Sequence, residues 1–101
     1  MQDLEHEFHT CMLQVSENAR RSGYNPTYFL RMVYELGGVQ AAKQLLSKPE
    51  IQEGLMHLWE LGLLADSMEA YVLKPQYASL FTDAERAEAR RRLDALNFHA
   101  E

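Results

Sequence analysis

Residues 37–62 read GGVQAAKQLLSKPEIQEGLMHLWELG, and two successive helix patterns begin and end within them. Gly37-Gly38 predicts a helix stop, because glycine readily adopts the left-handed conformation just past a helix C-terminus. Ser47-Lys48-Pro49-Glu50 has capping-box spacing and predicts the next helix start, and Gly62 predicts its end. The apolar positions follow a helical period: Val39, Ala42, Leu45 and Leu46 in the first helix, and Ile51, Leu55, Leu58 and Trp59 on one face of the second.

The same alternation continues toward the N-terminus. An apolar stripe with helical spacing predicts a long amphipathic helix over residues 3–21, which Gly23 ends. Asn25-Pro26 predicts a second helix with Asn25 as N-cap, because asparagine accepts free backbone N–H groups and proline tolerates the first helical position. The stripe of the first helix comprises Leu4, Phe8, Met12, Val15 and Ala19, and the second is expected to bury Phe29, Met32, Val33 and Leu36.

Three further signals lie toward the C-terminus. Asp66-Ser67-Met68-Glu69 is a candidate capping box for a short helix that Lys74-Pro75 ends. A single turn is expected around Tyr77, Leu80 and Phe81. Thr82-Asp83-Ala84-Glu85 is the clearest capping box, with acids at the positive end of the helix dipole, and its helix is expected to reach about Leu96.

These patterns predict an all-α fold. No segment alternates apolar and polar residues with β-branched enrichment, so we expect no sheet. The length of 101 residues, with 47% hydrophobic and 25% charged residues, favours a single globular domain over residues 1–101. The predicted architecture is a compact bundle of five to seven short helices.

Charge and cysteine content narrow the functional classes. A net charge of −5 argues against a protein whose main task is to neutralise nucleic-acid phosphates. A single cysteine excludes an internal disulfide and fits a reducing compartment. Acids occupy the N-terminus where a signal peptide carries bases, and no apolar run approaches a membrane span, so we expect a cytoplasmic protein that does not bind membranes.

Several segments together resemble a family of short bacterial helical proteins of unknown function. These segments are YNPTYFL at 24–30, GGVQAAKQLL at 37–46, LWELG at 58–62, MEAYVL at 68–73 and LFT at 80–82. Members of this family also occur beside, or fused to, endonuclease-type modules. The resemblance implies a bacterial helical module and assigns neither an activity nor a catalytic residue.

The last helix carries the candidates for nucleic-acid binding, because guanidinium groups pair with phosphate. This alternative function, an accessory domain linked to a nuclease or defence system, uses Arg86, Arg90 and Arg91 together with Arg20 and Arg21. Helical geometry spreads these side chains around the helix, and Glu88 stands four residues before Arg92, the favoured order for an ion pair. The simpler interpretation is a solvated helix face.

A further alternative is a small metal-independent ribonuclease. Arg92 and His99 loosely resemble the arginine and histidine of certain helical ribonucleases, in which histidine transfers protons and arginine stabilises charge. The match is weak, because Asn97 is expected to end the helix before His99. A histidine in the C-terminal tail is the simpler interpretation.

Metal and cofactor signals are weak. His6 and His9 lie three residues apart, with Glu5 four residues before His9, but both histidines are expected on the solvated side of the first helix, and further ligands are lacking. Cys11 is expected to act as a small buried hydrophobe. The sequence therefore predicts no catalytic, metal or cofactor site.

The leading hypothesis is a non-enzymatic module that docks onto another protein or a second copy. Between Lys48 and Lys74 there are five acids and no lysine or arginine, which predicts an acidic hairpin. The simpler interpretation is a solubilising face, and the functional one is complementarity to a basic partner surface. Tyr28 and Tyr34 fall off the buried stripe and are candidate anchors. The acids are Glu50, Glu53, Glu60, Asp66 and Glu69, and we expect Glu53, Glu60 and Glu69 to contact the partner.

Overall fold

A computed structural model describes residues 3–48 and 53–98, with side-chain positions from residue 54 in the second part. These two ranges contain six α-helices and two 3₁₀ helices and no strand, so the all-α prediction is confirmed. The α-helices are α1 (Leu4–Arg21), α2 (Thr27–Leu36), α3 (Gly38–Leu46), α4 (Glu53–Glu60), α5 (Met68–Val72) and α6 (Asp83–Ala95). The 3₁₀ helices are Leu64–Asp66 and Pro75–Leu80.

The long first helix forms as its stripe predicts. Asp3 caps it by accepting a hydrogen bond from the backbone N–H of Glu5, at 3.1 Å. Four of the five stripe residues are buried, and Phe8 makes edge-to-face contacts with Tyr77 and Phe81 at 5.3 and 5.1 Å between ring centroids. Helix α1 therefore organises the core, whose other members come from every later helix.

The caps toward the C-terminus are largely those predicted. Thr82 and Glu85 exchange reciprocal hydrogen bonds in a complete capping box, and α6 ends at Ala95. Ser67 caps α5 by accepting from the N–H of Ala70, so the N-cap of α5 is Ser67 and not Asp66, which the predicted box requires.

Two other residues that were predicted to cap a helix start, Asn25 and Ser47, have different positions in the structure. Pro26 occupies the N-cap position of α2 and no side chain caps the helix, because the chain at Asn25 turns through a hydrogen bond from the N–H of Thr27 to the carbonyl of Asn25. Ser47 lies at the end of α3, where its hydroxyl donates to the carbonyl of Gln44. The remainder of that predicted box, Pro49 and Glu50, and the expected apolar residue Ile51 lie outside the described residues.

Two predicted core residues are exposed. Trp59 is 47% exposed and Leu36 is 43% exposed, whereas Leu55 and Leu58 of α4 are buried. Helix α4 lies at the margin of the bundle, with its main described contacts to the 3₁₀ helix Leu64–Asp66. Only a narrow side of α4 therefore reaches the core.

Helices α1 and α3 approach each other closely at Gly38. A Cβ atom built on Gly38 lies 2.6 Å from the Cα of His9, so this crossing accepts only glycine without a shift of backbone. The N–H of Gly38 donates to Nδ1 of His9 at 2.9 Å. This contact fixes α3 against α1 and places α2 beside both.

Candidate binding surface

The position of Arg92 differs most from the one that the sequence predicts. Its side chain is fully buried rather than lying on a solvated helix flank. The predicted pair with Glu88 is present, with Nε donating at 2.7 Å. Nη1 donates to Glu69 at 3.3 Å, and Nη2 donates to two backbone carbonyls at the end of α3, those of Leu45 and Lys48.

Glu69 was expected on an exposed acidic surface, and this expectation is wrong. The residue is 3% exposed and faces Arg92 from the first turn of α5. Burial raises the pKa of Glu69, and the nearby Arg92 guanidinium only partly opposes that effect. Carboxylates rarely lie in a core without a charged partner, so the buried guanidinium accounts for its position.

The acidic hairpin is reduced by these contacts. Asp66 is half-buried and accepts hydrogen bonds from Asn18 at 2.6 Å and from Tyr71 at 3.2 Å. Glu60 is exposed, as predicted, and lies 3.7 Å from the His57 ring nitrogen. Glu50 and the side chain of Glu53 lie outside the described part of the structure. Among the described members, Glu60 alone therefore fits a solvated acidic surface.

A pocket of about 310 Å³ opens between the start of α2 and helix α4. Its described lining is mostly apolar and includes Val15 and Ala19 of α1, Leu45 of α3 and Leu58 of α4, together with Tyr24 and Phe29. Glu69 also contributes to the lining, next to Met68. An apolar pocket of this size with one carboxylate in its described lining has the general composition of a ligand-binding site.

Three aromatic side chains contribute to the described lining of this pocket: Tyr24, Tyr28 and Phe29. Tyr24 stacks on His57 of α4 with 4.3 Å between ring centroids and 14° between ring planes, which connects the loop before α2 to the side of α4. Tyr28 lies at the rim and is 56% exposed. The sequence pattern identified Tyr28 by its distance from the buried stripe, but it gave no sign of the ring stacking.

A second hollow of about 250 Å³ adjoins the first, and both include Pro26 in their lining. Its lining includes Leu13, Leu30 and Tyr34, and Tyr34 is 69% exposed. The exposure expected for both tyrosines is thus confirmed. Exposed aromatic side chains beside hollows are typical of protein-binding surfaces.

Most of the arginines proposed for nucleic-acid binding contact other groups of the protein. Arg20 and Arg21 both donate to Glu17, and Arg91 donates to Glu88. The side chain of Arg86 donates from Nη2 to the carbonyl of Leu73, and its Nε is buried without a hydrogen-bond partner. Arg90 is exposed on α6. Neighbouring carboxylates therefore compensate the charge of most of these arginines, and Arg86 donates to the backbone of the protein.

The remaining chemical candidates are similarly dispersed. His9 is half-buried and accepts the Gly38 hydrogen bond, so it is not solvated as expected, and its ring centroid lies 6.5 Å from that of His6. In the two described ranges, no three His, Cys, Asp or Glu side chains converge on a metal-sized site. Cys11 is half-buried, with Sγ 3.3 Å from the Tyr77 hydroxyl.

The arginine of the ribonuclease alternative is buried, and its donors contact protein groups. His99 lies outside the described residues. The left-handed backbone of Asn97, with φ of 61°, follows the end of α6 and agrees with the helix end expected there. A phosphate has no access to the Arg92 guanidinium in this conformation.

No helix in the described ranges combines the length and the apolar character needed to cross a membrane. Comparison of the chain with protein-family models, with curated proteins and with solved structures found no significant match.

Proposed function

We propose that this chain is a non-enzymatic protein-interaction module that binds its partner through the outer face of α2 and the rim of α4. The observation that carries the proposal is the pair of adjoining hollows, each bordered by an exposed tyrosine of α2. Aromatic side chains supply large contact areas at low conformational cost, and neighbouring hollows accept apolar groups of a partner.

Helix α4 adds exposed apolar side chains. Met56 and Trp59, which are 38% and 47% exposed, lie three residues apart and therefore on neighbouring positions of that helix. Glu60 adds an exposed carboxylate next to them. Water-exposed apolar groups of this size lose unfavourable hydration when a partner covers them, which supports an interface here.

The proposed partner is a protein with apolar anchors and a basic surrounding surface. The net charge of −5 favours approach of such a surface over long range, and Glu60 offers a local contact. A second copy of the chain is the other occupant to test. The single cysteine and the acidic composition support a cytoplasmic setting, and the sequence resemblance supports a bacterial one.

Affinity purification from cells that naturally contain the protein tests this proposal. We expect the double variant Tyr28→Ala/Tyr34→Ala to lose a partner that the unaltered chain retains, because both anchors are removed at exposed positions with little effect on folding. Arg90→Ala is the matched control, since Arg90 is exposed on α6. Equal recovery of every co-purifying protein by the double variant contradicts the proposal. A partner lost only by the Arg90 variant also contradicts it and favours the α6 face.

A further inference from the structure

We infer that the pocket between α2 and α4 binds a small organic amine with an apolar or aromatic skeleton, whose ammonium group pairs with Glu69. This inference does not depend on the proposed protein partner. It rests on the size of the pocket, the chemistry of its lining and the hydrogen bonding of Glu69.

The size of the pocket limits the class of ligand. Its volume of about 310 Å³ lies at the lower end of the range typical of small-molecule sites. Most of the described lining is apolar and includes the side chains of Val15, Leu45 and Leu58. A ligand that fills this space gains most of its affinity by removing apolar surface from water, so its skeleton is apolar.

The carboxylate determines the polar group of the ligand. Glu69 is the one charged residue in the described lining, and it is 3% exposed. A buried carboxylate is stabilised by cations and hydrogen-bond donors, whereas an anionic ligand placed beside it is repelled. Arg92 contacts Glu69 but is not among the described lining residues, so the described lining carries an acid and no base and favours a cation over an anion of the same shape.

Arg92 leaves Glu69 with capacity for a second donor. The guanidinium divides its hydrogen bonds among Glu88 and two backbone carbonyls as well as Glu69. Its contact with Glu69, at 3.3 Å, is longer than its contact with Glu88, at 2.7 Å. Burial favours the protonated form of Glu69, and an ammonium group, like Arg92, favours the ionised form. An ionised carboxylate accepts several hydrogen bonds, so the ammonium group adds to the Arg92 contact without replacing it.

The aromatic side chains support the same chemistry. Tyr24, Tyr28 and Phe29 lie along one side of the pocket. The faces of aromatic rings attract organic cations, and the same rings pack well against an aromatic or aliphatic skeleton. The three rings and the carboxylate thus provide apolar contact and charge complementarity in one site.

The test is a titration with 2-phenylethylamine, followed by NMR chemical shifts of the Leu55, Met68 and Glu69 amides at neutral pH. The matched probe is 2-phenylethanol, which replaces the ammonium group with a hydroxyl. We expect the amine to bind at least about tenfold more tightly than the alcohol, the effect of one hydrogen bond between charged groups. Equal affinities, or no shift of these amides with either compound, overturn the inference.

Two variants locate the site. Glu69→Gln keeps the length of the side chain and an oxygen acceptor for Arg92, and we expect it to remove the preference for the amine. Gly54→Leu fills the mouth of the pocket, where a new Cβ lies 3.4 Å from the Tyr24 hydroxyl, an ordinary contact. We expect Gly54→Leu to abolish binding of both compounds while the amides of α6, which contributes no residue to the described lining, keep their shifts. Unchanged amine affinity in a folded Gly54→Leu variant overturns the assignment, and this holds even if Glu69→Gln fails to fold.

Discussion

Arg92 donates a hydrogen bond from Nη1 to the carboxylate of Glu69 at 3.3 Å, and both side chains are almost completely withdrawn from water. The two residues belong to α6 and α5, and the same guanidinium also binds the end of α3. One buried side chain therefore connects three helices around the floor of the proposed binding pocket.

Removal of this connection is expected to destabilise the protein strongly. Arg92→Ala leaves a buried carboxylate and two carbonyls without their donor, and we expect the free energy of unfolding to fall by about 3–5 kcal/mol. Arg91→Ala is the matched control, since Arg91 also binds Glu88 but is exposed, and its loss is expected below about 1 kcal/mol. Urea unfolding measures both, and similar losses for the two variants contradict the central role of Arg92.

Acid is expected to weaken the fold through Glu88. Hydrogen bonds from Arg91 and from Arg92 lower the pKa of Glu88 from 4.5 to about 2. The stabilisation is therefore present above the unfolded value and is lost as the pH falls from about 4.5 toward 2, with an upper limit of about 3 kcal/mol. Urea titrations across this interval are expected to show a shallower acid loss for Glu88→Gln than for the unaltered chain. Identical slopes contradict the prediction.

Glu69 is expected to have the opposite pH dependence. Because burial raises its pKa in the folded state, the folded chain holds this proton more strongly than the unfolded chain. Its contribution to stability is full below the unfolded value of 4.5 and falls as the pH rises through the folded value. We expect Glu69→Gln to remove this fall when stability is measured upward from about pH 4.5. A variant with the same slope as the unaltered chain contradicts this assignment.

The helix crossing at Gly38 is expected to reject even one methyl group. Gly38→Ala places Cβ 2.6 Å from the His9 backbone, and we expect a loss of about 1–3 kcal/mol from the forced shift of α3 against α1. Gly54→Ala is the control, because its Cβ makes only an ordinary contact and alanine favours the helix by about 0.5–1 kcal/mol. Thermal unfolding measures the two changes. Equal effects of the two substitutions contradict the close packing of α1 on α3.

Nucleic-acid binding is expected to be absent or weak. Most candidate arginines already contact carboxylates or a carbonyl, and the net charge is −5. A fluorescence titration with labelled DNA and RNA at low salt is therefore expected to show no saturable binding. Salt-dependent binding that Arg90→Ala/Arg91→Ala removes supports the nucleic-acid alternative instead.

Local patterns predicted much of the fold. The apolar stripe of α1 and the Thr82–Glu85 capping box depend on residues within a few turns of each other, and both are confirmed. The burial of Arg92 depends on carbonyls more than forty residues earlier in the chain, and a helical wheel holds no information about them. Trp59 differs in the opposite direction. The helical period of apolar residues predicts that it is buried, but α4 lies at the margin of the bundle and leaves it exposed.

The sequence predicts only part of the binding surface. Tyr28 and Tyr34 were identified because they leave the apolar stripe of α2. Glu69 was assigned to the surface because acids are usually solvated, and its buried partner lies 23 residues away. The pocket itself arises from the packing of α2 and α4 around α1, α3 and α5, so no single segment encodes it.

Photo-crosslinking from the face of α2 tests the interaction surface most directly. A benzoylphenylalanine placed at position 34 is expected to form one dominant adduct in cells that naturally contain the protein. Its mass identifies either a second protein or a second copy of this chain. The control places the same group at Ala87, which is exposed on α6, a helix whose main described contacts are with α3 and α5. An adduct from position 34 that is absent from position 87 is the result we predict. No adduct from position 34, or the same adducts from both positions, contradicts the proposed interface.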